Sequence, residues 1–141
     1  MKHIARVVII GLIGLVVFIV ACSRQKDYSK NFSTPNDAPI SYYDIAKYEK
    51  GVFTGAGWSA DKEEGAPLKK VLVYVDGKAV GEANIADRPD VANAFKDDRF
   101  LKSGWLISAR IPLDKGAHSS MVLSYDSKDA LKVVQKEFIV K

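Results

Sequence analysis

Lys70-Val71-Leu72-Val73-Tyr74-Val75-Asp76-Gly77-Lys78-Ala79-Val80-Gly81-Glu82-Ala83 decides the fold of this 141-residue chain. Val71, Val73 and Val75 recur at every second position, which is the period of a strand with one buried face, and β-branched side chains suit that pleated surface. Asp76-Gly77 supplies a two-residue turn in which both residues take positive φ, and residues 78–83 return as the second arm of a hairpin.

The same period continues outward. Upstream, residues 51–60 read as a strand whose Gly51, Gly55 and Gly57 call for a bulge or a close approach of neighbouring backbone, and residues 43–48 read as an edge strand before it. Downstream, residues 104–111 alternate, with Trp105, Ile107, Ala109 and Ile111 on one face and Ser108 and Arg110 on the other, until Pro112 ends the ladder. Two more strands span 118–125 and 131–140 around the turn Asp126-Ser127-Lys128-Asp129. Their phase is open, because Met121, Leu123 and Tyr125 compete with Val122, and Leu131 and Val133 with Val134; Phe138 and Val140 are favoured inward.

One segment departs from strand character. Asp87-Arg88-Pro89-Asp90-Val91-Ala92-Asn93-Ala94-Phe95 places acid and proline at a helix start, with Val91, Ala94 and Phe95 on one face and Asp90 as the expected cap and partner of Arg88. It predicts a short helix carrying the chain from one sheet to the other, with Phe95 or Phe100 plugging an open end. About six or seven strands in about 100 residues suit an antiparallel sandwich. The expected fold class is therefore all-β, one domain over residues 40–141, with one short helical crossover.

The chain begins differently. Lys2 and Arg6 precede an uncharged stretch over residues 7–20, and Ile19-Val20-Ala21 leads into Cys22, the sole cysteine. This arrangement resembles the lipobox of bacterial lipoproteins, which implies a signal peptide over residues 1–21, cleavage, and acylation of Cys22. The alternative is an uncleaved membrane helix, although the stretch is at the short end of the roughly 17–25 apolar residues that a span needs. Two or three acyl chains give stable anchoring where one does not. Ser23 after the cysteine resembles the class sorted to the outer membrane in organisms with two membranes. Residues 22–39 read as the lipidated start and a flexible tether, rich in Ser, Asn, Asp, Lys and Pro. Residues 23–39 would reach about 55–60 Å if fully extended.

Loss of Lys2 and Arg6 with the leader lowers the net charge from +4 to +2. The remaining bases alternate with acids, with no basic cluster interleaved with aromatics, so nucleic acid is not an expected partner. With Cys22 committed to lipid there is no disulfide, and stability must come from a packed core.

The ordered series Gly57-Trp58-Ser59-Ala60, residues 71–81 (VLVYVDGKAVG), Arg88-Pro89-Asp90-Val91 with Ala94-Phe95, Ser103-Gly104-Trp105, Gly116-Ala117-His118 and Tyr125-Asp126 resembles bacterial immunoglobulin-like domains of cell-surface proteins. Trp105 stands where that family favours phenylalanine, and Ser120 and Ser124 occupy positions often apolar. The resemblance implies a sandwich that acts as a spacer, adhesion or binding module and is not itself catalytic. Its expected partners are membrane lipid through Cys22 and an envelope protein or glycan. An accessory subunit that binds an envelope enzyme or secretion machine by strand addition is the alternative.

The chemical inventory agrees with a non-catalytic reading. His118 is the single histidine after the leader, so no Cys/His metal site or Cys–His dyad can be assembled, and no cofactor is expected. Ser119 and Ser120 adjoin His118, but strand neighbours point to opposite faces. Asp61, Glu63, Glu64 and Asp76, or Asp87, Asp90, Asp97 and Asp98, lack the regular spacing of a calcium loop and read as solvated loop charges. Trp58, Trp105, Phe53, Tyr74 and Phe138 lie in strands, where core packing is the default. Tyr74 stands opposite the buried valines. Together with Tyr42, Tyr43 and Tyr48 it would form a ligand face if the first strand and the outer side of the hairpin were adjacent.

Overall fold

Among the described residues eight strands form two four-stranded antiparallel sheets: β1 (Ile40–Glu49), β2 (Val52–Ala60), β3 (Lys70–Val75), β4 (Lys78–Glu82), β5 (Asn84–Ala86), β6 (Gly104–Arg110), β7 (Gly116–Tyr125) and β8 (Leu131–Val140). The strand orders are β1-β2-β6-β5 and β4-β3-β7-β8. The structure, a computed structural model, describes residues 27–32 and 37–141. The expected signal peptide and Cys22 lie outside the described residues, among which no helix is long and apolar enough to cross a membrane.

The valine hairpin follows its sequence. Asp76 (φ 49) and Gly77 (φ 78) both take left-handed conformations between β3 and β4, and Val71, Val73 and Val75 are buried. They pack between the sheets with Phe53, Trp105, Ile107, Val122, Phe138 and Val140. The last two strands thus settle with Val122, Phe138 and Val140 inward, while Met121 and Leu123 point to the other side of their sheet and are buried there too (3% and 1% exposed).

Glycines in β2 let neighbours approach. A Cβ on Gly57 would lie 2.0 Å from the Tyr42 carbonyl oxygen and 2.5 Å from the Trp105 ring, so the large indole is accommodated at the position opposite Gly57 in β6. Ser120 and Ser124 are satisfied inside the sandwich by hydroxyls. Ser41, Ser59 and Ser124 form a closed triangle of hydrogen bonds (2.8, 3.1 and 2.8 Å) across both sheets, and Ser120 bonds the Tyr43 hydroxyl. Paired hydroxyls avoid the cost of an unsatisfied buried polar group.

The helix α1 (Pro89–Phe95) is present, but it is not a crossover between sheets: it links β5 to β6, neighbours in one sheet. The three crossings between sheets are made by the loop over 61–69, by Ala83 and by residues 111–115. Instead, α1 and the 3-10 turn Asp98–Ser103 pack on the outer face of the first sheet, where Val91, Ala92 and Phe100 bury Ala60. Ala92, not Ala94, joins Val91 in that contact. Asp90 does not cap the helix. Pro89 at its start lacks an N–H to satisfy, and Asp90 lies in the first turn, where its charge complements the helix end.

Within the expected tether, residues 27–32 contain a 3-10 turn (Tyr28–Asn31) that lies against β8. Asp27 accepts from the Ser29 N–H, and the Tyr28 N–H donates to Gln135 Oε1 at 3.2 Å. The Tyr28 ring covers Gly77, where a Cβ would come within 2.8 Å of it.

Candidate binding face

The predicted tyrosine face is not assembled. Tyr43 points into the core, 8% exposed, edge-on to Trp105 (ring centroids 4.9 Å apart) and bonded to Ser120. Burial pushes its phenol up to about 12, against the opposing effect of the Ser120 hydrogen bond. Tyr48 also packs on the core and donates its hydroxyl to the Ile111 carbonyl at 2.7 Å. Tyr74 lies on the outer side of the other sheet, paired with Met121. β1 and the hairpin belong to different sheets, so the adjacency that would have joined these residues does not exist.

A different aromatic group does gather. Cross-strand pairing sets Tyr42 opposite Trp58 and Ile45 opposite Ala56, while Ala56 also faces Leu106, all on the outer side of the β1-β2-β6-β5 sheet. Tyr42 stacks on Trp58 (4.8 Å, 16°), Trp58 meets Phe95 of α1 edge-on (5.7 Å, 69°), and Phe95 stacks on Phe100 (4.7 Å). Tyr42, Ile45, Phe95 and Leu106 remain 44–56% exposed. The row is thus anchored at Phe100, buried against the sheet, and opens to solvent toward the β1 edge. Trp58, expected in the core, belongs to this outer row. Its phase was readable: with Phe53 inward, a residue five positions along the same strand must point outward.

Charge frames the row on one side. Arg88 donates to both oxygens of Asp90 (2.8 and 2.6 Å) and to Asp44 at 2.7 Å, which joins the start of α1 to the bulge in β1. The Arg88 hydrogen bonds hold the Asp90 carboxyl down at about 2, and donation to the two acids, Asp90 foremost, raises the guanidinium further. The cluster is internally neutralised apart from one net negative charge, so it orients the rim more than it attracts an ion.

His118 sits at the far end of the sandwich. Its Nδ1 lies 2.6 Å from Asp76 Oδ2 and its Nε2 2.7 Å from the Asp114 carbonyl, and its ring stacks on Phe138. Both neighbours are acceptors, so both ring nitrogens donate and the imidazolium is the form that fits. Burial pulls its pKa down, but the bonds to Asp76 and Asp114 outweigh this and the net shift is upward. Asp76 Oδ1 also accepts the Ser119 N–H, tying the hairpin turn to β7. The other acids named from sequence are spread among structural tasks. Asp61 accepts from the Glu63 and Glu64 N–H groups, Asp97 pairs with Arg99, and Asp87 pairs with Lys102. Among the described residues no three His, Cys, Asp or Glu side chains come together as a metal site.

Every sheet edge is blunted. β1 is bulged at Asp44 and β4 at Val80, β5 has three residues, and β8 carries Lys132 and Lys136 on the face it shares with Ser124 and Ser120. These are the devices that keep edges from pairing with another strand. Comparison with protein-family models and with curated proteins gives no match.

Proposed function

We propose that this chain is a lipid-anchored cell-envelope protein whose immunoglobulin-like sandwich binds another envelope protein through the outer aromatic face of the β1-β2-β6-β5 sheet, without catalysis. The observation that carries the binding role is the exposed row of Tyr42, Ile45, Phe95 and Leu106 around Trp58. Tyrosine and tryptophan beside arginine are the side chains that dominate protein-binding energetics. The aliphatic share of the row favours a protein over a glycan: sugars stack on ring planes, and Ile45 and Leu106 would stay wet beneath one. Blunted edges speak against strand addition as the mode of contact.

The strand order supports the immunoglobulin-like reading, since sheets ordered β1-β2-β6-β5 and β4-β3-β7-β8 correspond to the ABED and C′CFG sheets of that family. Basic residues, an apolar run and Ala21-Cys22 support export and acylation, with the outer membrane as destination in an organism with two membranes. A non-catalytic role is supported by His118, which with both nitrogens donating has no lone pair for a general base.

A photo-cross-linker at Tyr42 tests the face in intact cells. A discrete protein adduct that disappears in the Trp58→Ala chain supports the reading; adducts only to polysaccharide, or none, overturn it. Cys22→Ser tests the anchor. Release from the membrane, with loss of the acylated Cys22 peptide by mass spectrometry, is expected, and retention at unprocessed mass would refute acylation.

A further inference from the structure

The two ends of the sandwich differ in charge. Loops over 61–69, 87–103 and 126–130 share one end, where nine acids outnumber seven bases: Lys69–Asp129, Arg88–Asp90, Arg99–Asp97, Lys102–Asp87 and Lys128–Glu63 pair off, and Lys62 and Lys96 stand among the remaining acids Asp61, Glu64, Asp98 and Asp126. The opposite end, made by the β1–β2 turn, the β3–β4 turn, residues 111–115 and Lys141, presents Lys50, Lys78, Lys115 and Lys141, all exposed and with no ion pair among the described residues. Of the acids there, Glu49 pairs with Lys47 and Asp76 with His118, leaving Asp114 and Glu137 against those lysines and Arg110. This end also holds Ile139, among the described residues the most exposed large apolar side chain at 62%, beside a cleft lined by Leu113, Phe138 and Val140 with Lys115 and Lys141.

The path of the chain brings the anchor to the same end. β1 begins at the opposite end, where Ile40 pairs with Ala60, so a tether counted to Pro39 would place the membrane there. Tyr28 instead covers Gly77 in the β3–β4 turn, within the lysine end, while its N–H is held by Gln135. Tyr28 follows Cys22 by only six residue steps. Their full extension is about 20 Å, so whatever holds residue 22 in a bilayer holds the lysine end close to it.

We infer that the lysine end rests on the anionic headgroups of the bilayer in which this chain is anchored, with Ile139 entering the interface and the acid-rich end held away from it. Lysines near an anionic surface gain attraction that falls off within a Debye length of about 8 Å at physiological salt, and a short leash keeps them in that range. An exposed apolar side chain ringed by lysines is the composition of an interfacial contact. The inference rests on the proposed membrane attachment near Cys22, and it deepens that reading by giving the domain an orientation.

The test uses the full chain purified from membranes and reconstituted in vesicles carrying a nitroxide on the lipid headgroup. Fluorophores are placed at Ala117→Cys, beside the lysine end, and at Ala94→Cys, on α1 at the other end, both exposed positions. The Ala117 probe should be quenched several-fold more than the Ala94 probe when the vesicles contain anionic lipid. The contrast should shrink in neutral vesicles, at high salt, and in the combined Lys50→Gln, Lys115→Gln, Lys141→Gln chain. Equal quenching of both probes in anionic vesicles, or stronger quenching at Ala94, overturns the inference. These outcomes are separate from the Cys22→Ser result. A chain retained without acylation refutes the lipid anchor yet still reports orientation, whereas an acylated chain with equal quenching keeps the anchor and loses the orientation.

Discussion

The outer faces of the two sheets are built from similar side chains and meet opposite fates. On the β4-β3-β7-β8 sheet, Leu72, Tyr74, Met121, Leu123 and Val133 point outward, and Met121 and Leu123 are almost fully buried. The segment over residues 27–32 lies on that side, held at Gln135 and Gly77. On the β1-β2-β6-β5 sheet, α1 and the following 3-10 turn cover only the end near Ala60, and Ile45, Leu106 and Tyr42 stay open. The chain thus treats one apolar outer face as core and leaves part of the other in water. Such an exposed contiguous apolar patch is the basis of the proposed contact surface.

The sharpest break between the faces compares one residue type in two places. Leu123→Ala should cost about 2–5 kcal/mol in a denaturant titration, because a buried leucine leaves a cavity. Leu106→Ala, at 44% exposure, should cost about 0.5 kcal/mol or less. Similar costs at both positions would mean that the faces are not distinct. For partner binding the ranking reverses: Trp58→Ala should weaken binding by about 30-fold, as truncation of a central aromatic anchor does, while Tyr74→Ala should leave affinity unchanged.

The covering segment can be probed through Gly77. Gly77→Ala places a Cβ within 2.8 Å of Tyr28 at a φ of 78°. A loss of about 1–2 kcal/mol is expected from the backbone alone, and faster proteolysis within residues 27–32 should show the segment lifting. Gly51→Ala, also at positive φ but without Tyr28 over it, should leave proteolysis there unchanged.

The smallest expected effect is a pH dependence at the lysine end. The folded pKa of His118 is raised above its usual 6.5. The stability it contributes is therefore whole below about pH 6.5 and declines as pH rises through the folded value. Thermal melts should show this decline as pH rises above 6.5, and Asp76→Asn should flatten it.

Much of the sandwich was legible because a period of two is a local signal. The valine hairpin, its Asp76-Gly77 turn, the Trp105 strand and the glycine-mediated close approach at Gly57 each follow from a few adjacent residues. The candidate face was harder. Trp58 faces outward by simple alternation from Phe53, yet an apolar aromatic in a strand reads by default as core, and nothing local says that α1 covers one end of that face and stops. The helix was placed in sequence but given the wrong task, since whether β5 and β6 share a sheet is a long-range property. Ser120 and Ser124 stand at positions often apolar in the family that the sequence resembles; their partners Tyr43, Ser41 and Ser59 lie 65 or more positions away in the chain.

The most direct measurement is oxidative side-chain footprinting of the chain in native membranes against the purified chain in detergent. If the proposed partner covers this face, Trp58, Tyr42 and Leu106 should be protected several-fold in the native membrane, and Leu72 and Tyr74 should label equally in both. Equal labelling of Trp58, Tyr42 and Leu106 in the two states would contradict the claim that this face is a binding surface.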